Sequence, residues 1–585
     1  MKSVNLTQSG STDKMFKSAK KIMATFIVAM CMVQGMWANT ATEIADIIRT
    51  ASGNQLTATV SGSNVTVTGT IPATLSNADF LTFGINSGGT VIWRASLTGS
   101  PSSNFSLINI TGGSGTFRIE SGIIENTGNG RAITNNSAST ITISGGTVSA
   151  TSGMAIFNAS TGVVSVSSGT VSATSGTAIR NENLFWNSPS GTVNISGGTV
   201  NTQNGFAIYS RLSSSAPDGG AVTVSGGTVS ATSGVAISAS FMLTITSGTV
   251  SATSGTAISA TRTTAISGGT VSAITGTAFS NHGMATISGS ARITSESTFF
   301  LGGAIFNDGN TLNVNGGTIE NMATAGGYAI NNNSGTTNVN GGIVRSINGD
   351  AVRINSSLVF SNFLNVSGGT ISTTGSGRSA INTSGLGTTS TIITITGGTV
   401  STNQSNGFAI NKGGSASLRI GRNPTITGRI LTSSQRLEVF TSGADAFNPE
   451  SRVYMLDFPA NQYNSSTIAV MNGGNFRNNF SLYNPNWTLI QAGQHLAMTQ
   501  AGTNIQTPTS KNALTIYPNP AQNFVYITAG FPIRKVEIFN TSGVRVFVEE
   551  NPANRIDLRG FAEGVYFVRI YGSGGVMSVQ KLIVR

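Results

Sequence analysis

The stretch SGGTVSATSG, Ser225–Gly234, is written once and then rewritten with small changes for some three hundred residues. Aligned on its small-residue corner, the copies run ITISGGTVSATSGMAIFN from Ile141, VSVSSGTVSATSGTAIRN from Val164, VNISGGTVNTQNGFAIYS from Val193, VTVSGGTVSATSGVAIS from Val222 and LTITSGTVSATSGTAIS from Leu243. Looser copies begin at Leu312, Leu364 and Ile393. The aliphatic residue after the corner falls at Val148, Val171, Val200, Val229, Val250, Val271, Ile293, Ile319, Val344, Ile371 and Val400, in steps of 21 to 29 residues. A period of that length marks a solenoid, in which one copy cannot bury its own apolar side chains and must stack on its neighbours.

Within each copy the apolar residues alternate, as Val222 and Val224 do against Thr223 and Ser225, which is the rhythm of a half-buried strand. Three short strand-like pieces, of the types VTV, TVSAT and VAI, are separated by Gly, Ser and Asn, so the chain turns about three corners per copy. The spacing predicts an all-β fold: a parallel β-helix of eleven or twelve coils, right-handed by the general rule for parallel crossovers. Gly226 and Gly227 suit a sharp corner. Asn158, Asn181, Asn281, Asn307 and Asn332 recur two residues after the AI (or AF) pair, where Asn tolerates the left-handed conformation and forms side-chain ladders.

Only 9% of residues are charged, while apolar content is too high for a disordered linker. The net charge of +11 is concentrated at the two ends. Lys2, Lys14, Lys17, Lys20 and Lys21 face only Asp13 in the first 38 residues, and nine basic against five acidic residues follow from Lys511. The middle is near neutral without a basic stripe, which argues against a nucleic-acid partner. The lone Cys31 sits in the apolar run IMATFIVAMCMV behind the lysines, the three-part pattern of a secretory signal peptide. Met30 before the cysteine disfavours a lipoprotein signal, so cleavage is expected after Gly35 or Ala38.

The domain division read from these features is 1–38 signal peptide, 39–107 N-terminal cap and first coils, 108–436 β-helix repeats, 437–506 closing coils, 507–513 linker and 514–585 a C-terminal domain. Ile44, Ile47, Ile48 and Ala51 fall on one helical face and predict a helix that covers the first coil. Beyond Leu437 the repeat is lost and aromatics appear, among them Phe440, Tyr454, Phe458, Phe480, Tyr483 and Trp487.

From Leu514 the strands FVYIT, KVEIF, VRVFV, VYFVRI and QKLIVR, with turn residues between them, predict a small antiparallel β-sandwich. The motifs YPNP, IFNTSG, IDLRGFAEGVYFVRI and the closing QKLIVR resemble, in order, the C-terminal sorting domain of the type IX secretion system of Bacteroidetes. The positions that carry the resemblance are Pro518, Asn519, Pro520, Gly543, Gly564, Val565, Tyr566 and Lys581. It implies a passenger exported by its signal peptide and then carried through the outer membrane by the type IX machinery. It also implies removal of the tail near 506–513, with the passenger attached to surface lipopolysaccharide or released.

Catalysis on a β-helix needs converging carboxylates, or a calcium held by several acidic oxygens. The acids from Ile108 to Gly428 are Glu120, Glu125, Glu182, Asp218, Glu296, Asp308, Glu320 and Asp350, scattered in coil register and expected as turn residues or solvated charges. His282 and His495 lie far apart, so no catalytic group, metal site or cofactor is expected. Phe206 with Tyr209, and Phe185 with Trp186, are candidate contacts for a glycan or host-matrix ligand, or else fillers of interior corners. The expected role is a non-enzymatic adhesin or structural surface element; the alternative is a polysaccharide-active enzyme or glycan-binding protein.

Overall fold

The computed structural model describes residues 38–72, 78–183, 188–211, 219–298, 302–355, 361–384, 391–413, 416–432, 437–463, 468–501, 514–529, 532–552, 554–572 and 577–585. The expected signal peptide up to residue 37 and the expected linker lie outside the described residues. Strand makes up 59% of the chain and helix 4%, in a parallel β-solenoid followed by separate antiparallel sheets. The chain divides into two units, Met1–Phe447 and Asn448–Arg585.

The solenoid has three sheets, one for each strand piece of the repeat. In one coil they are Thr140–Ile143, Thr147–Ala150 and Met154–Asn158, and each pairs in parallel with its equivalents one coil below and one above. Inward and outward residues alternate strictly along the first two strands, as the period of two requires. All eleven aliphatics named from the repeat lie fully buried in a single ladder of the second sheet.

That ladder is longer than the repeat spelling suggests. Ile71, Leu97 and Ile124 precede Val148 in register, and Ile426 follows Val400, which makes about 15 turns rather than eleven or twelve. The core constrains only the inward position, so these outer rungs keep an aliphatic while losing the TVSAT spelling. Each buried valine contributes roughly 1.5–3 kcal/mol relative to exposure, but only when its neighbours are in place.

Corners depend on two kinds of glycine. Gly227 has φ +67°, the left-handed region that glycine enters without steric cost. Gly234 has no such dihedral; a Cβ there would meet the carbonyl oxygen of Gly205, one coil below, at 2.0 Å. The repeated SGG and TSG therefore answer different demands, one of backbone angle and one of stacking distance.

The asparagines are a correction. None of Asn158, Asn181, Asn281, Asn307 or Asn332 has a positive φ; they are extended strand residues, fully buried inside the solenoid. Their ladder is real. Asn135 donates to Asn158 Oδ1 (3.0 Å) and Asn158 to Asn181 Oδ1 (2.8 Å), which closes on Ser210. A second block runs Asn281 to Asn307 to Asn332, each step 2.7 Å. The spare amide hydrogens reach corner carbonyls such as Ser139 O and Gly162 O, so each buried side chain helps hold its own turn.

At the N-terminal end, helix Ala41–Ala51 opens with a capping box between Thr40 and Glu43 and buries Ile44, Ala45 and Ile48 against strands Leu56–Ser61 and Leu81–Ile85. Ala51, expected on that face, is exposed; Ala45 takes its place. Phe83, Trp93 and Phe117 pack beneath, with ring centroids 6.0–6.3 Å apart.

In the second unit, Tyr454–Asp457 pairs in parallel with Phe480–Leu482, and Trp487–Ala492 forms a hairpin with His495–Gln500. Tyr454, Phe458, Phe480 and Trp487 are members of ring contacts there, and Tyr463 joins Phe458 and Trp487. The tail is a two-sheet antiparallel sandwich. Leu514–Tyr517, Phe524–Ala529 and Arg555–Asp557 form one sheet; Arg545–Glu550, Ile533–Asn540, Gly564–Gly572 and Met577–Val584 form the other. Val525, Ile527 and Ile556 from the first meet Val536, Ile538, Val568 and Ile570 from the second in one core.

Candidate functional sites

On the third sheet the residue after the inward Ile points outward; it is small in three successive rungs, Ser238, Ser259 and Ser280, and large again above them at Phe306 and Arg353. Below Ser238 the column changes to Phe157, Arg180 and Tyr209, aligned rung on rung. The Arg131 guanidinium lies over the Phe157 ring at 4.5 Å, and Arg180 lies 5.6 Å from Phe157 and 5.5 Å from Tyr209. Phe206 meets Tyr209 edge to face at 5.0 Å. Phe206 and Tyr209 are half-buried on the outer face and do not fill the interior, whose place on this strand is taken by Ile208 and Ser210. Phe185 and Trp186 lie outside the described residues.

Electrostatically the ladder is cationic. Arg180 reaches Glu182 through Nε at 2.9 Å and Arg211 stands 3.8 Å from the same carboxylate. Arg131 has no ion pair among the described residues, and its Nε is buried without a hydrogen-bond partner. Burial pushes its pKa down, and the neighbouring Arg180 pushes it further.

The solenoid carboxylates are spent on structure more often than their scatter suggested. Glu320, only 2% exposed, is clamped between Arg345 at 2.7 Å and Arg292 at 3.0 Å from the coils on either side. Asp350, 5% exposed, accepts Ser379 N–H (2.8 Å) and Asn382 Nδ2 (2.7 Å) from the next coil. These two are buried structural groups, not the solvated charges expected. Asp308 holds Asn333 and Ser334. Glu120 pairs with Arg94 and Arg118, and Glu296 is exposed. Asp218 lies outside the described residues. Among the described residues there is no group of three or more His, Cys, Asp or Glu that could hold a metal. His282 Nε2 lies 2.9 Å from Ser280 Oγ, while His495 Nδ1 accepts the Asn472 N–H.

One buried group escaped the sequence reading altogether. Lys412 occupies the interior ladder position two after the AI isoleucine, in register with Thr383 and Thr432, and is fully buried with its ammonium donating to Ala416 O at 2.8 Å. Desolvation lowers its pKa to about 8. The repeat alignment would have found it, because INK stands where IFN and IRN stand in earlier copies.

In the tail, motifs far apart in sequence meet on the last strand. Asn519 uses its side chain as a strand would use its backbone: Nδ2 donates to Lys581 O, and Oδ1 accepts the Ile583 N–H at 2.8 Å. Ala521 N–H then donates to Ile583 O at 2.7 Å, and Arg585 N–H to Ala521 O at 2.8 Å. Pro518 and Pro520 flank this Asn clamp. Val565 and Tyr566 pair with Ile583 and Leu582, and the Tyr566 hydroxyl donates to Ala562 O at 2.7 Å. Gly564 pairs with Val584 at the end of the same ladder. Gly543, φ +78°, makes the turn whose Asn540 Oδ1 accepts the Ser542 and Val544 N–H groups. The Lys581 side chain is exposed. Glu537, unremarked in the sequence, is buried under Lys535 (3.0 Å), Arg545 (2.9 Å) and Tyr571 (2.8 Å). Hydrogen bonds from Lys535, then Tyr571, hold its carboxyl down at about 2.

No helix among the described residues is long and apolar enough to cross a membrane. No curated protein matches the chain. A solved structure of PorZ, an essential bacterial surface component of the type-IX secretion system of Porphyromonas gingivalis, is similar over 18% of this chain and 16% of that chain, at 20% identity and a TM-score of 0.13. The family model of the secretion system C-terminal sorting domain matches residues 515–585. The chain therefore spans a parallel β-solenoid and ends in a type IX secretion system C-terminal sorting domain, which implies interaction with that machinery and export to the cell surface or the extracellular space.

Proposed function

We propose that this protein is a non-enzymatic surface adhesin, a β-solenoid displayed by the type IX route of a Bacteroidetes cell after cleavage of an N-terminal signal peptide. The observation that carries this reading is the contrast between the two kinds of polar group on the solenoid. Its most buried carboxylates, Glu320 and Asp350, are consumed by inter-coil bonds, whereas an arginine and aromatic ladder stands at the outer face of the third sheet. Groups that neutralise one another across coils stabilise a stack but do not transfer protons to a substrate. A ladder of rings and guanidinium groups supplies contact area and hydrogen-bond donors, which is the chemistry of binding. The tail is then removed near 506–513, and the solenoid is held on surface lipopolysaccharide or released.

Two experiments test this. A chain truncated before Leu514 is expected to accumulate in the periplasm, and normal surface display of that truncation would overturn the export route. Full-length protein on glycan and host-matrix arrays is expected to bind without shortening any polysaccharide; chain cleavage in a parallel degradation assay would favour the enzyme reading instead.

A further inference from the structure

We propose that the outer face of the third sheet between Arg131 and Arg211 binds an acidic polysaccharide in which uronate and neutral sugars alternate, laid along the solenoid axis. This site rests on the adhesin reading and gives it a ligand class.

The fold does not require these residues. Thr134 fills the same outward column one rung below Phe157, and Ser238, Ser259 and Ser280 fill it above Tyr209, with the sheet unbroken throughout. Phe157, Arg180 and Tyr209 thus form a run of three large rungs set between small ones, and the column turns large again only from Phe306 onward. Successive rungs are about 4.8 Å apart, close to the advance of one pyranose along an extended glycan. Arg131 and Arg180 stand on neighbouring columns two rungs apart and both approach the Phe157 ring, at 4.5 and 5.6 Å, so their guanidinium groups lie within about 10 Å of each other, about the length of a disaccharide. Guanidinium groups suit carboxylates because both are planar and pair through two parallel hydrogen bonds.

Charge points the same way. Among the described residues, Arg131, Arg180 and Arg211 face Glu182 alone within ion-pair distance, and Arg131 has none of that carboxylate. Asp79 acts on Arg131 only from farther off, its own oxygens being taken by Ser106 and Asn109. A uronate bound at the Arg131 guanidinium would supply the missing counter-charge. Phe206 and Tyr209, half-exposed, offer apolar surface to the neutral sugar, and Tyr209 has Arg180 on one side but only Ser238 on the other. Glu182 in the middle of the ladder disfavours a polymer charged at every unit, a nucleic acid among them.

The test is calorimetric titration of the full chain, at physiological ionic strength, with hyaluronan oligosaccharides, neutral dextran, polygalacturonate and oligo-thymidylate. Hyaluronan is expected to bind best. Arg131→Gln should weaken it by about tenfold or more, the loss of one charged hydrogen-bond pair. Tyr209→Ser, which installs the residue of the next three rungs, should weaken it as well without lowering the melting temperature. Arg419→Ala, on the first sheet, should leave it unchanged. Equal binding of dextran, tighter binding of polygalacturonate or oligo-thymidylate, or an Arg419→Ala loss equal to that of Arg131→Gln would each overturn the site. Retention on host-matrix arrays without hyaluronan binding removes this site and keeps the adhesin reading; failure on every surface removes both.

Discussion

A single interior column shows how much one side chain can decide. Two residues after the AI isoleucine the solenoid places Asn135, Asn158, Asn181 and Ser210, then Ala239 and Ala260, then Asn281, Asn307 and Asn332. Amide next to amide satisfies both partners, and the ladder stops where an apolar rung intervenes; Asn332 Nδ2, facing the Ile354 rung, has no partner among the described residues. Lys412 is the extreme case, a cation in a column of amides and hydroxyls. Its pKa is lowered from 10.5 to about 8, so below pH 8 both folded and unfolded chains carry the proton and the burial penalty is constant. Between pH 8 and 10.5 the folded state loses the proton first, and stability rises with pH. Urea unfolding of the wild type is expected to gain up to about 3 kcal/mol across that window relative to Lys412→Thr, which carries the residue of both neighbouring rungs. The column was legible in the repeat, since it is spelled AIFN, AIRN and AINN. Its inward direction was not, because spacing alone does not distinguish a turn asparagine from one buried in a strand.

For the elements, strand assignment followed from alternation, and the corners followed from glycine. What alternation left open was the outer columns. Phe206 and Tyr209 were recognisable as candidate contacts, but Arg131, Phe157 and Arg180 were not, since their stacking depends on register between residues 23 to 29 apart. The tail behaves likewise: the alternating strands predicted the sandwich, whereas Glu537 in its three-way clamp needed the pairing of Ile533–Asn540 with both neighbours. That clamp makes a pH prediction. The folded pKa of about 2 lies below the ordinary 4.5, so Glu537 contributes stability that is complete above pH 4.5 and lost as pH falls toward 2. Pulse hydrogen exchange across 533–550 should show opening in that acid window for the wild type and a flatter response for Glu537→Gln.

At the scale of the molecule, stacking makes the solenoid tolerant of whole-period changes and intolerant of fractions. Deleting 229–249 joins Thr228 to Val250 and removes one 21-residue period, and the chain is expected to fold with one rung fewer, its circular dichroism still that of strand. Deleting 229–238 instead breaks the phase of all three sheets and should leave the protein aggregated or open to protease. The sequence alone determined the all-β class, the stacking, the inward aliphatics and the nature of the tail, because these follow from period and from motifs that are local in the chain. Tertiary structure decided how many coils there are, that the asparagines lie inside, and which charges meet: Glu320 with its two arginines, Arg180 with Phe157 and Tyr209, Asn519 with Lys581. Those partners stand a full coil or a full domain apart, and a contact between them exists only once parallel pairing has set the register.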